Sequence, residues 1–166
     1  MREDDFKIFY ESYAKTLWAY ALRLTGDASL ADDIVQESFI RLLHRDIDSL
    51  TDAQRKSYLF QTATNLFRDH LRKTKRTVAW DDVDENVFMK TAVYGEAVDF
   101  TTAFDQLPPQ QRALLWMAYA EDYTHEEIAR ALELKPSSVK VLLFRAKKQL
   151  TDVLTRLGIT KENRHD

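Results

Sequence analysis

Thr124–Leu150, THEEIARALELKPSSVKVLLFRAKKQL, predicts two short helices joined by a tight turn. Thr124 and Glu127 have the Ser/Thr-x-x-Glu spacing of a capping box, in which the two side chains reciprocally satisfy the first helical N–H groups. Ile128, Ala131 and Leu132 form the buried stripe of this helix. The segment Glu133 to Pro136 breaks it, because proline disfavours helical geometry in the preceding residue. Ser137 or Ser138 is placed to cap a second helix, whose apolar positions Val139, Leu143, Ala146 and Leu150 recur at helical spacing. That second helix carries Lys140, Arg145, Lys147 and Lys148, follows Lys135, and has no acid before Leu150. Helix, short turn and basic helix make the helix-turn-helix plan, whose second helix docks in the DNA major groove. An ordinary helical hairpin with a solvated basic face is the alternative.

Working outward, 166 residues suit one domain or two small ones. A chain that is 45% hydrophobic and 31% charged, with three glycines and three prolines, fits an all-α globular class. The absence of cysteine excludes disulfides and thiolate metal sites, and agrees with a reducing, cytoplasmic location. No apolar run approaches the roughly 20 residues of a membrane span, and the first residues, MREDDFK, lack a signal-peptide core. A net charge of -3 excludes a uniformly basic nucleic-acid binder, so any DNA contact must come from local patches.

Residues 3–24 predict an amphipathic helix with Phe6, Phe9, Tyr10, Tyr13, Leu17, Tyr20, Ala21 and Leu24 on its inner stripe and Gly26 at its stop. Ser29 and Asp32 predict the cap of a second helix reaching about His44, with Leu30, Ala31, Ile34, Val35, Phe39, Leu42 and Leu43 as its apolar set. Asp33 and Glu37 stand one turn apart on one face. Paired carboxylates suit a metal site, but no histidine at the required spacing joins them, so a solvated or partner-binding face is the better reading. Thr51 and Gln54 cap a third helix running to about Lys75, after a polar loop from Arg45 to Asp52. Five cations and one acid between Arg68 and Arg76 serve either the helix dipole or a phosphate.

Residues 76–98 change character, with two cations against five acids and poor periodicity. They predict a flexible acidic linker between two small helical domains, 1–75 and 99–166. The charges of those domains cancel, twelve against twelve and ten against ten, so the whole deficit lies in the linker. In the second domain Phe100, Ala103, Phe104 and Leu107 form a short stripe stopped by Pro108-Pro109. A helix follows from Gln110 to Ala120 around Leu114, Leu115, Met117 and Ala118. Beyond Leu150 the pattern fades, and KENRHD reads as a frayed tail.

Three stretches, taken in order, carry a resemblance. Asp33-Ile34-Val35-Gln36-Glu37-Ser38-Phe39 resembles the D-x-x-Q-E-x-F signature of bacterial RNA polymerase sigma factors. Asn65-Leu66-Phe67-Arg68-Asp69-His70-Leu71-Arg72 resembles the N-x-x-x-D-x-x-R stretch of the next conserved segment. Leu107 to Arg112, Glu127-Ile128-Ala129, Val139-Lys140 and Arg145-Ala146 resemble the family's C-terminal domain. The short chain is similar to the extracytoplasmic-function (ECF) subgroup. The resemblance implies that Asp33, Gln36 and Glu37 meet the clamp helices of the polymerase β' subunit. It implies that Asn65, Arg68, Asp69, Arg72 and Lys73 lie at the -10 element, with the Arg45–Asp52 loop capturing an unstacked base. It implies that Ser137, Ser138, Lys140, Val141, Arg145, Lys147 and Lys148 face the -35 element. No catalytic residue, metal or cofactor is implied, and an anti-sigma factor is an implied partner.

The chain departs from the family pattern at three places. Thr64 stands where arginine is frequent, which reads as a missing phosphate contact. Asp122 replaces the usual turn glycine, although aspartate tolerates left-handed geometry better than most residues. Leu142 replaces an arginine able to make a bidentate guanine contact, leaving at most an apolar contact to a thymine methyl. A dimeric helix-turn-helix regulator remains an alternative for the C-terminal half. It gives no account of Asp33 to Phe39, and a metalloenzyme built on Asp33, Glu37 and His44 lacks a clustered third ligand.

Overall fold

The computed structural model describes residues 2–74, 80 and 100–159, and the described residues contain helices and no strands. The long helices are α1 (Glu3–Thr25), α2 (Ala28–Leu43), α3 (Asp52–Thr74) and, near the C-terminus, α7 (Pro136–Arg156). The short α4 (Phe100–Asp105), α5 (Pro109–Leu115) and α6 (His125–Leu132) lie between α3 and α7, with a π-turn at Trp116–Ala120. Apart from Trp80, the predicted acidic linker lies outside the described residues, as does the KENRHD tail.

The first three helices pack on one another because each buries a stripe. Leu17, Tyr20 and Leu24 of α1 meet Leu42 of α2 and Leu59 and Phe60 of α3, all with 1% exposure or less. The Tyr20 hydroxyl lies 2.6 Å from Thr64 Oγ1, which itself donates to the Phe60 carbonyl at 2.7 Å. Thr64 has one proton and uses it on that carbonyl, so Tyr20 is the donor to Thr64. Burial also pushes the Tyr20 phenol above its ordinary range. Thr64 is therefore a satisfied core residue with no hydroxyl left at the surface.

Local signals set most of the helix ends. Gly26 closes α1 at φ 67°, its N–H bonding the Leu22 carbonyl. Thr51 and Gln54 cap α3 reciprocally, at 2.9 and 3.2 Å, and Thr124 and Glu127 do the same for α6 at 3.0 and 3.1 Å. Two starts differ from expectation. The α2 cap is Asp27, whose carboxylate accepts from the Ser29 and Leu30 N–H groups, while Asp32 takes the indole N–H of Trp18 at 2.6 Å. Helix α7 begins at Pro136 with Lys135 as its cap residue, so neither Ser137 nor Ser138 caps it; proline suits a first-turn position because its missing N–H has no partner there. Helix α7 also outlasts the fading at Leu150, since Val153 and Leu154 are buried.

Asp122 adopts φ 52°, so aspartate does hold the left-handed turn position. Asp122→Gly should raise stability by about 0.5 kcal/mol, the relief of a left-handed backbone less the added unfolded-state entropy. Urea denaturation monitored by circular dichroism checks this; a lower midpoint would mean the Asp122 side chain contributes more than its backbone costs.

The two helical units pack against each other through α1 and α3 on one side and α5 and α6 on the other. The Phe60 and Tyr123 rings meet at 5.9 Å and 66°. The Arg112 guanidinium reaches the Leu24 carbonyl at the end of α1, at 2.7 Å. Ahead of α6, the Glu121 carboxylate takes Lys56 at 2.9 Å and the Thr16 hydroxyl at 2.6 Å. The carboxylate side chain is 6% exposed, so its charge is taken out of water with cationic and hydroxyl partners in place.

Candidate functional site

Two chemically opposite faces stand on different helices. On α2, Asp33 and Gln36 are exposed and Glu37 is half-buried, its carboxylate held by Arg41 at 2.9 Å one turn on. Ile40 and Leu43 continue that face at helical spacing, 47% and 48% exposed. Leu43 was expected in the core; Leu42 fills the inner side of that last turn, at 0% exposure, and Leu43 falls outside. An acidic, partly apolar strip results, a composition suited to a protein partner rather than to a phosphate backbone.

The loop after α2 is pinned from inside. Ile47 is buried, and its carbonyl accepts from Arg55 Nε and Nη2 at 3.0 and 2.7 Å. Arg45 lies 4.9 Å from the centroid of the Tyr58 ring. A cavity of about 350 Å³ beside the loop is lined by Phe9, Ser12, Tyr13, Asp48, Asp52 and Arg55 among others. Its carboxylates offer acceptors to the amino groups of a base and repel a phosphate.

The five residues of α3 expected at the -10 element divide in two. Asp69 and Arg72 pair with each other at 2.8 Å on the exposed surface, and Lys73 is exposed next to them. Asn65 and Arg68 instead face α6: Asn65 Nδ2 donates to Glu133 Oε1 at 3.3 Å, and Arg68 Nη2 donates to the Leu132 carbonyl at 3.2 Å.

On α7, Ser137, Lys140, Val141, Arg145, Lys147 and Lys148 are exposed and Ser138 is half-buried. Lys147 Nζ sits 5.0 Å from the centroid of the Tyr119 ring. Leu142 is half-buried against the core. The exposed apolar groups of this helix are Val141, 49% exposed, and Phe144, 67% exposed. Phe144 was missed in the sequence. The available signal was its place at the i+4 step from Lys140 and the i+3 step from Val141, outside the Val139-Leu143-Ala146 stripe.

Comparison with known proteins turns these faces into an identity. Residues 9–77 match the family Sigma-70 region 2, and residues 97–150 match Sigma-70, region 4. The chain is 30% identical to the ECF RNA polymerase sigma factor SigL of Mycobacterium tuberculosis, over 93% of this chain and 92% of that one. The chain is an ECF RNA polymerase sigma factor. It is also 29% identical to the ECF sigma factor SigM of Bacillus subtilis, covering 92% of this chain and 96% of the relative. In fold it is similar to the Bartonella quintana sigma factor RpoE, solved in complex with the anti-sigma factor NepR. That likeness has a TM-score of 0.68 and 24% identity, and covers 91% of this chain and 97% of the other. As a sigma factor, the protein associates with RNA polymerase and directs promoter-specific transcription initiation. Among the described residues, no group of three or more metal-ligating side chains occurs, and no helix is long and apolar enough to cross a membrane.

Proposed function

We propose that the two faces divide the work of this sigma factor. Asp33, Gln36 and Glu37 engage the clamp helices of the polymerase core, with Ile40 and Leu43 supplying apolar contact. Asn65, Arg68, Asp69, Arg72 and Lys73 work at the -10 element, where the Arg45–Asp52 loop captures an extruded base and so helps strand opening; extrusion costs a few kcal/mol, which cations and a pocket offset. Ser137, Ser138, Lys140, Val141, Arg145, Lys147 and Lys148 meet the -35 element, and Phe144 joins Val141 in apolar contact within the groove. The domains run 1–75 and 99–166 across an acidic linker. The protein acts in the cytoplasm and makes or breaks no bond itself. An anti-sigma factor is its expected antagonist; the similar RpoE chain was solved with one.

The observation that supports this reading best is the separation of charge: an acidic and apolar strip on α2, and a basic strip with exposed Phe144 on α7. Glu37→Ala should weaken binding to polymerase core by about tenfold, the size of one charge-assisted contact. Binding of the same variant to -35 duplex DNA should not change. Equal loss in both assays, measured by fluorescence anisotropy, would refute the division. A stand-alone regulator would bind DNA tightly as a dimer and leave core enzyme unaffected.

A further inference from the structure

Lys147 is one of the cations assigned above to the -35 element, and its own helix offers it no ionic partner. Its neighbours three and four residues away along α7 are Leu143, Phe144, Leu150 and Thr151, none of them a carboxylate. The ammonium is met from another element instead: Lys147 Nζ lies 5.0 Å from the centroid of the Tyr119 ring. Tyr119 belongs to the π-turn between α5 and α6 and is 58% exposed, so its ring is not held there by burial. The backbone beneath it is fixed. Met117 is fully buried, the Glu121 N–H bonds the Trp116 carbonyl at 3.1 Å, and the Tyr123 N–H bonds the Met117 carbonyl at 2.9 Å. An aromatic ring on such a rigid, exposed support adds little to packing; what it adds is a negative face for the ammonium.

From this contact we propose that Tyr119 is a positioning residue for promoter binding, its ring holding the Lys147 ammonium in place for a backbone phosphate of the -35 element. The inference rests on the assignment of Lys147 to that element. Lys140 and Lys147 stand seven residues apart, about two turns, so they share one line of α7 with Phe144 between them. Tyr119 braces the C-terminal end of that line. A lysine carries its charge on a flexible four-carbon stem, and fixing that stem on a phosphate costs rotamer freedom. A ring that already confines the ammonium removes part of this cost before DNA arrives. It does not withhold the charge, because the ammonium has three donors and the ring face takes only one side of it.

The test titrates holoenzyme onto promoter duplex at several salt concentrations. The variants are Tyr119→Phe, Tyr119→Leu, Lys147→Ala, and Tyr119→Leu with Lys147→Ala; both positions are exposed, and circular dichroism melts check that each variant folds. Tyr119→Leu should weaken binding about threefold, the size of one exposed cation–ring contact, and leave the salt slope unchanged, because Lys147 still reaches its phosphate. Tyr119→Phe keeps the ring and should bind as the unaltered protein does. Lys147→Ala should flatten the slope by about 0.9, and in that background Tyr119→Leu should cost nothing more. In the free chain, ring current should shift the Lys147 ε-methylene protons upfield with tyrosine or phenylalanine at position 119 and not with leucine. Equal losses in the phenylalanine and leucine variants would give the Tyr119 hydroxyl a contact of its own and overturn the positioning role. Tighter binding by Tyr119→Leu overturns it too, since the ring would then be holding Lys147 back, as does a loss that persists in full without Lys147. Should Lys147→Ala change neither affinity nor slope, the -35 assignment of Lys147 goes and the inference with it. An effect of Lys147 beside an inert Tyr119 removes the positioning role alone.

Discussion

Replacing Lys140, Arg145 and Lys148 together by alanine is expected to weaken promoter binding by on the order of 100-fold near physiological salt, with little change in folding. All three side chains are exposed on α7, so the substitutions disturb no core packing and should stay within about 0.5 kcal/mol in stability. Their effect lies in counterion release. Each phosphate neutralised contributes about 0.9 to the slope of log affinity against log salt, so losing three contacts should flatten that slope by nearly 3. The local origin of the charge makes this measurable, because the whole chain carries a net charge of -3 and no diffuse positive field replaces the lost contacts. Holoenzyme titrated onto promoter duplex at several salt concentrations gives both quantities. An unchanged slope would show that α7 does not meet the phosphate backbone through these residues. Phe144→Ala should leave the slope as it is, since an apolar contact releases no counterion.

Arg112→Ala should lower stability by about 2–3 kcal/mol and the midpoint of thermal unfolding by roughly 4–12 °C, without touching either binding face. The guanidinium donates to the carbonyls of Leu107, Asp105 and Leu24, the last on α1. Burial lowers its pKa to about 10, with Asp105 and Tyr20 opposing that shift, so it remains protonated at neutral pH. A cation at the α1 C-terminus also meets the negative end of that helix. Arg112→Leu separates packing from hydrogen bonding: it restores bulk but leaves the same carbonyls without their donor, so it should recover little. Full recovery by leucine, read from circular dichroism melts, would assign the role of Arg112 to packing. Lysine should also recover little, because one ammonium cannot reproduce the planar fork.

The readings that held depend on neighbours in the chain. The Thr124–Glu127 and Thr51–Gln54 boxes formed as expected because a capping box needs four consecutive residues and nothing from elsewhere. The buried stripe of α1 likewise followed from spacing, with Leu17, Tyr20, Ala21 and Leu24 all inside, although Tyr10, expected on the same stripe, is 41% exposed. Cap identity was less legible where several candidates compete. Asp27 rather than Ser29 caps α2, since its carboxylate stands one residue ahead of the helix and takes the Ser29 and Leu30 N–H groups, which starts the helix before Ser29. Burial at the margins of a stripe was less legible still. Leu43 and Phe100 are apolar and exposed, Thr64 is polar and fully buried, and on α7 Leu142 is half-buried while Phe144 stands exposed. A stripe's edge goes inside or outside according to which helix packs on it, and spacing within one helix does not name that partner.

The sequence by itself determined the seven α-helices of the described residues in outline, the basic character of α7, the paired carboxylates on α2 and membership of the sigma-factor family. These rest on periodicity, caps and motifs, each local along the chain. Only the tertiary structure decided that the two units share an interface, that Thr64 satisfies Tyr20, and that Asn65 and Arg68 lie beneath Glu133. Those contacts join residues 44 to 105 positions apart. A carboxylate at a helix end looks the same in sequence whether it meets water or an arginine, and the fold alone brings that arginine within reach.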